Sequence, residues 1–214
     1  MGKRVSKGQG KLRLVTWGGS REGAGRKPKG RRSGVSHAAR PEVASRHPVH
    51  VTLRMRDEVW NLRSRRCFRV IECALAAGSN RQGMRLTHFS VQGNHLHMIV
   101  EAEDERALSR GVQGLSVRLA RGLNRLMERK GKVFADRFHA HVLRTIREVR
   151  NAVMYVLGNA RIHARRQGRD GPVGPDRYTA GPGLDESGTS SPVVHAPRTW
   201  LLRVGWRRPS STAA

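Results

Sequence analysis

The sequence predicts an α+β fold, an antiparallel sheet with helices on one face, and three observations carry that prediction. Segments at 47–56, 84–93 and 95–101 read as strands: the first two alternate apolar and polar residues, and the third is an apolar run interrupted by two histidines. Between and after them, 59–79 and 103–131 repeat apolar residues every three or four positions, the helical period. Gly93-Asn94 is a turn signal between two of the strands and makes them a hairpin.

Taken in order, "HPVHVTLRMR" puts Val49, Val51, Leu53 and Met55 on one face and His50, Thr52, Arg54 and Arg56 on the other, a half-buried strand. In "VWNLRSRRCFRVIECALAAGS", Leu62, Phe68, Ile71 and Leu75 form a helical stripe that Gly78-Ser79-Asn80 ends. "MRLTHFSVQG" is expected to place Thr87, Phe89 and Val91 together, and "HLHMIVE" is the second arm of the hairpin. The next helix carries Leu108, Val112, Leu115, Leu119, Leu123 and Leu126, with Glu103, Asp104 and Glu105 in its first turn, where carboxylates suit the helix dipole, and Gly131 at its end. "KVFADRFHAHVLRT" is a further extended segment. "IREVRNAVMYVLGNARIHARR" is a last helix with Ile146, Val149, Val153, Val156 and Ala160 inward. The first six elements read βαββαβ, the split βαβ or ferredoxin-like arrangement. The additional C-terminal helix, or a ligand, is left for the other face of the sheet.

Three regions follow. Residues 1–44 are a basic, Gly-rich flexible arm, with 12 Lys/Arg, one acidic residue and nine glycines in the first 40. Residues 45–167 are the folded domain. Residues 168–214 are a Gly/Pro-rich tail, loose apart from a docking segment at "RTWLLRVGW". Lys and Arg number 42 against 16 Asp and Glu, a formal charge of +26. Such an excess repels itself and points to a polyanionic partner, nucleic acid first. No apolar run is long enough to span a bilayer and the N-terminus lacks a signal-peptide core, so no membrane partner and a cytoplasmic location are expected. The two cysteines, Cys67 and Cys73, face different sides of one helix and read as reduced thiols.

The chemistry concentrates in "VQGNHLHMIVE". Alternate strand residues share a face, so His95 and His97 point together while Leu96, Met98 and Val100 point under the helices. Two imidazoles on one face can converge on a metal ion, but a good site needs a third ligand from another element. The last helix spaces Tyr155, Asn159 and His163 by four, one stripe beside its apolar one. Laid against the histidine face, that edge lets the Asn159 amide oxygen complete a His-His-Asn set, with Tyr155 one turn away.

These motifs resemble those of the single-tyrosine HUH transposases, including the REP-associated tyrosine transposases, over about His47 to His163. "NHLH" is similar to the family's Asn-His-hydrophobe-His strand. "GKVFADRF" resembles its Gly-x-hydrophobe-Phe-x-x-Arg-Phe segment, and "YVLGN" its Tyr-x-x-x-Asn. Gln92-Gly93 stands where the family often has Met-Pro, and Ala160 where it often has Pro; both flank the site and bear on the subfamily. The resemblance implies a metal-dependent enzyme that nicks and rejoins single-stranded or hairpin DNA. Tyr155 would be the nucleophile, and His95, His97 and Asn159 would hold a divalent ion, Mg or Mn. In some relatives the tyrosine helix serves a partner's histidines, which leaves a homodimer open.

For DNA contacts, Arg118, Arg121 and Arg125 recur along the second helix and Arg137 adjoins the matched aromatic; His163 extends the tyrosine stripe. His139-Ala140-His141 is a second such pair, read as basic surface without a metal role. His88 shares a strand with Ser90 and Gln92 and reads equally well as a bystander. A non-catalytic nucleic-acid-binding module on the same fold is the alternative. Against it, the chain is only 5% aromatic, and histidines stand where stacking rings would be. A structural zinc site is disfavoured by the asparagine and the absence of cysteine ligands.

Overall fold

The structure, a computed structural model, describes residues 42–166, 168, 176–181 and 193–207. The basic arm as far as residue 41, and the rest of the tail, lie outside the described residues. The elements are β1 (Val49–Arg54), α1 (Arg65–Gly78), β2 (Asn80–Arg81), β3 (Met84–Val91), β4 (His95–Ala102), α2 (Glu105–Leu126), β5 (His139–Val142), α3 (Ile146–Arg166), β6 (Thr179–Ala180) and α4 (Trp200–Arg203), with a 3₁₀ turn at Gly205–Arg207. The strands form one antiparallel sheet in the order β2-β3-β4-β1-β5, and β6 pairs with β3.

One face of the sheet is packed. Val49, Val51 and Leu53 from β1, Leu96, Met98 and Val100 from β4, and Leu86, Phe89 and Val91 from β3 meet α1 through Phe68, Ile71 and Leu75. Beside α1 lies α2, through Leu108, Val112, Leu115, Leu119 and Leu123. Close approach depends on glycine at two places. A β-carbon on Gly111 would sit 2.5 Å from Met84 Cβ, and one on Gly122 would sit 2.6 Å from Val70. Truncating any of the buried leucines to alanine should cost about 2–5 kcal/mol.

Several expected boundaries shift for local reasons. Helix α1 starts at Arg65, because Ser64 caps it by accepting from Cys67 N–H at 3.2 Å; Leu62 is buried, but ahead of the helix. Asp104 is the cap of α2, so only Glu105 lies in the first turn. The helix ends at Leu126, ahead of Gly131, with Glu128 in the left-handed region. A bulge between Leu86 and His88 upsets the expected alternation of β3. Leu86, Phe89 and Val91 take the packed face, while Thr87 turns its hydroxyl to Ile99 O at 2.9 Å. The extended segment before α3 is a strand only over four residues, preceded by a lone bridge from Phe134 to Met55.

The tail differs most from expectation. Asp176 makes a two-point ion pair with Arg63, both contacts 2.8 Å, and the Arg63 guanidinium lies 4.2 Å from the Tyr178 ring centre. Tyr178 in turn stands edge-on to Phe68. These contacts set β6 along the outer edge of β3. Further on, His195 N–H donates to Leu86 O and its ring pairs with the Ser79 hydroxyl, each at 2.9 Å. The buried Glu101 carboxylate accepts from Arg198 and Thr199 N–H just ahead of α4. The described parts of 176–207 are therefore joined to the domain, and Val43, expected in the arm, is buried in its core. The other face of the sheet is taken by α3 and α4: Val149, Val153, Val156 and Leu202 pack around Ile99.

Candidate active site

Strand register decides which side chains meet on that second face. Residues directly opposite in an antiparallel ladder point the same way. His97 lies opposite Thr52 on β1 and Ser90 on β3. His95 lies opposite Arg54, and Ile99 opposite both His50 and His88. Across the outer ladder, Thr52 faces His139 and His50 faces His141. One face thus carries six imidazoles, with Thr52 and Ser90 among them.

His97 is at the middle of this field and is only 5% exposed. Its Nδ1 is 3.2 Å from His50 Nε2 and 3.2 Å from Thr52 Oγ1. The His50 ring is stacked on it with centroids 5.3 Å apart, and the His95 ring meets it edge-on at 4.7 Å. His95 is half-buried, its Nδ1 2.8 Å from Asn94 Oδ1. Burial pushes His50 down to about 4, helped by the nearby His139 and His141, so its ring is neutral at physiological pH.

The third element is α3. Thr145 and Glu148 form a capping box: Thr145 Oγ1 accepts from Glu148 N–H at 3.2 Å, and the Glu148 carboxylate accepts from Thr145 N–H at 2.9 Å. The amide of Arg144 first, and then that of Thr145, hold the Glu148 carboxyl below its usual range. From this start the valine stripe docks on Ile99, which turns the neighbouring edge of the helix toward the histidines. Tyr155 stands edge-on to His97, with centroids 5.2 Å apart, and 6.1 Å from His50. One turn on, Asn159 is fully buried, and neither Oδ1 nor Nδ2 has a hydrogen-bond partner. A buried polar group left unpaired costs about 1–3 kcal/mol, so the Asn159 amide calls for a partner that the described side chains do not supply.

Among the described residues no three His, Cys, Asp or Glu side chains are grouped to hold a metal. The donors on offer are the imidazoles of His95 and His97 and the orphaned amide oxygen of Asn159. Imidazole nitrogen and amide oxygen are donors that Mn accepts more readily than Mg.

The other expected site residues are dispersed. Arg118, half-buried, donates to Gly114 O within α2 at 3.0 Å, while Arg121 and Arg125 are exposed on the same helix. All three lie in the helix layer on the opposite side of the sheet from Tyr155. Arg137 is exposed just ahead of β5, its N–H donating to Asp136 Oδ1 at 2.7 Å. The backbone of His163 continues α3; its side chain lies outside the described residues. Sequence reading misses His50 and Thr52 as companions of His97. The alternation of β1 places them on its polar side, but only the pairing of β1 with β4 shows what they touch. No helix among the described residues is long and apolar enough to cross a membrane.

A REP-associated tyrosine transposase, solved bound to a REP hairpin, aligns with 60% of this chain and 74% of its own at 16% identity, with a TM-score of 0.50. The fold is similar to that of this tyrosine transposase. A Deinococcus radiodurans R1 protein assigned as a transposase aligns with 66% of this chain and 99% of its own, at 12% identity and a TM-score of 0.39. No protein family and no curated protein matches the amino-acid sequence. Within this transposase-like fold, Tyr155 lies against the histidines of its own chain.

Proposed function

We propose that the protein nicks and rejoins single-stranded DNA at hairpins through a covalent 5′-phosphotyrosine on Tyr155, as a transposase or a domesticated relative. The observation that carries this reading is the Tyr155 ring against His97, with the buried, unpartnered Asn159 one turn away. The strand order β3-β4-β1-β5 and the two helices on one face support reading the core as ferredoxin-like, with α3 as the added tyrosine helix.

In this reading His95, His97 and Asn159 would hold a divalent cation, which would supply Lewis-acid polarisation of the scissile phosphate. The chain does the rest. Tyr155 loses its phenolic proton and its oxygen forms a bond to phosphorus; the bond from phosphorus to the 3′ oxygen breaks, and that oxygen takes up a proton. Reversal by a 3′-OH restores the strand without an external energy source, because the phosphodiester energy is kept in the tyrosyl ester. The valine stripe of α3 holds the nucleophile in place, and such positioning is itself a large part of the acceleration. The contact of Tyr155 with His97 is made within one chain. The arginine-rich surface and the net charge of +26 support a nucleic-acid substrate.

The test is a denaturing gel of the protein mixed with hairpin DNA and Mn. A slow covalent band that disappears in Tyr155→Phe is expected. Tight binding with no band in Mg or Mn, over a panel of hairpins, would instead make the protein a binding module.

A further inference from the structure

We infer that His50 and Thr52 are positioning residues that lock His97 in its Nδ1–H tautomer and so turn its Nε2 lone pair to the cation. The inference rests on the metal site proposed above and deepens it. A neutral imidazole carries one proton on two nitrogens, and only the bare nitrogen can bind a metal. Ligand histidines are held in one tautomer by an acceptor for the other N–H, and loss of that acceptor commonly lowers metal affinity or activity about 10–100-fold.

On His97 the second nitrogen is accounted for. Nδ1 has two neighbours at 3.2 Å, His50 Nε2 and Thr52 Oγ1, and both can accept its proton. Both come from β1, where register places Thr52 directly opposite His97 and His50 one row along. The strand is rigid at this point, because Val49, Val51 and Leu53 on its reverse side are fully packed. The orientation of the ligand is thus set by a β-ladder and not by a loop. For His50 to accept, its own proton must sit on Nδ1, and its lone pair on Nε2 then faces His97. Stacking between the two rings keeps that pair aligned. Neither acceptor is a carboxylate. A carboxylate in their place would push more negative charge onto the imidazole and weaken the pull of the cation on phosphate.

Two measurements on the full chain test this. The first is long-range ¹H–¹⁵N correlation of the histidine rings in the metal-free protein, with the His97 signals assigned by their loss in His97→Ala. Nδ1–H is expected; Nε2–H in the unaltered protein overturns the inference without any further variant. The second is Mn affinity by calorimetry or by the electron-spin-resonance signal of free Mn. Thr52→Val and His50→Phe, which keep shape and stacking but remove the acceptor, should together weaken Mn binding about 10–100-fold. Thr52→Ser and His50→Gln, which retain an acceptor, should restore most of it. If Mn binds, is lost in His97→Ala, and is unmoved in the Val/Phe pair, the positioning role falls and the metal site stands. If the unaltered protein binds no Mn, both fall together.

Discussion

His95-Leu96-His97 and His139-Ala140-His141 are the same motif on the same face of one sheet, yet their surroundings diverge. The first pair lies on β4, flanked by β1 on one side and β3 on the other, with α3 overhead. The second lies on β5 at the edge, paired with β1 alone, and both its imidazoles are exposed. His97 has ring or hydroxyl neighbours from three elements; the ion-pair contact of His141 is Glu148 at a loose 3.9 Å. Position in the sheet, more than the motif, sets how firmly an imidazole is held, since neighbours on both flanks remove its rotational freedom and its water.

The sharpest way to break this comparison is to exchange which pair is removed. His97→Ala should lower metal-dependent cleavage by more than about 100-fold, beyond the range set by losing an outer-shell partner. The double variant His139→Ala with His141→Ala should stay within about threefold, and its stability within about 0.5 kcal/mol, as for other surface changes. Single-turnover cleavage on a hairpin substrate and a thermal melt read both. Equal effects from the two pairs would show that the edge pair is also part of the site.

Asn159→Leu comes next. It removes two unpaired buried polar atoms and replaces them with carbon of similar size, so the apo protein should gain about 1 kcal/mol and melt higher, while Mn affinity and cleavage fall. A drop in melting temperature would mean that the amide has a structural partner.

A smaller effect concerns His88, which lies on the same face but on the far side of Ile99. Burial, and then the charge of Arg207, hold it down at about 4. The unfolded chain takes up this proton near 6.5 and the folded one resists until about 4, so the unfolded state binds more protons in that window. Stability should therefore fall as pH drops from about 6.5 toward 4, and His88→Gln should flatten the fall in a series of melts. Smallest of all, Arg121→Ala and Arg125→Ala sit on the face away from Tyr155. They should leave the cleavage rate at saturating DNA unchanged. Where either arginine touches a phosphate, its removal should lower the salt slope of single-strand binding by about 0.7.

Most of the framework is legible because it depends on local period. The alternation of 49–54, the apolar stripe of α2, and the His95/His97 and Tyr155/Asn159 spacings are each contained in one element. What escapes depends on pairing between distant residues. The role of β1 at His97 needs the β1–β4 register, and the shared face of both histidine pairs needs the β1–β5 register. The bulge at Leu86/His88 carries no glycine or proline to announce it. The return of the tail rests on single contacts such as Arg63 with Asp176, set in a Gly/Pro background that has no period to detect.

Glu101 has a practical consequence. Its carboxylate is only 6% exposed, and the amides that satisfy it, those of Arg198 and Thr199, arrive 97 and 98 residues later. A fragment trimmed after residue 168 would take from Glu101 the two backbone amides that satisfy its carboxylate and strip Leu202 from Ile99 in the same cut. Anyone shortening this protein for crystals or biochemistry should keep the polypeptide through residue 207, although the motifs that suggest its chemistry end at His163.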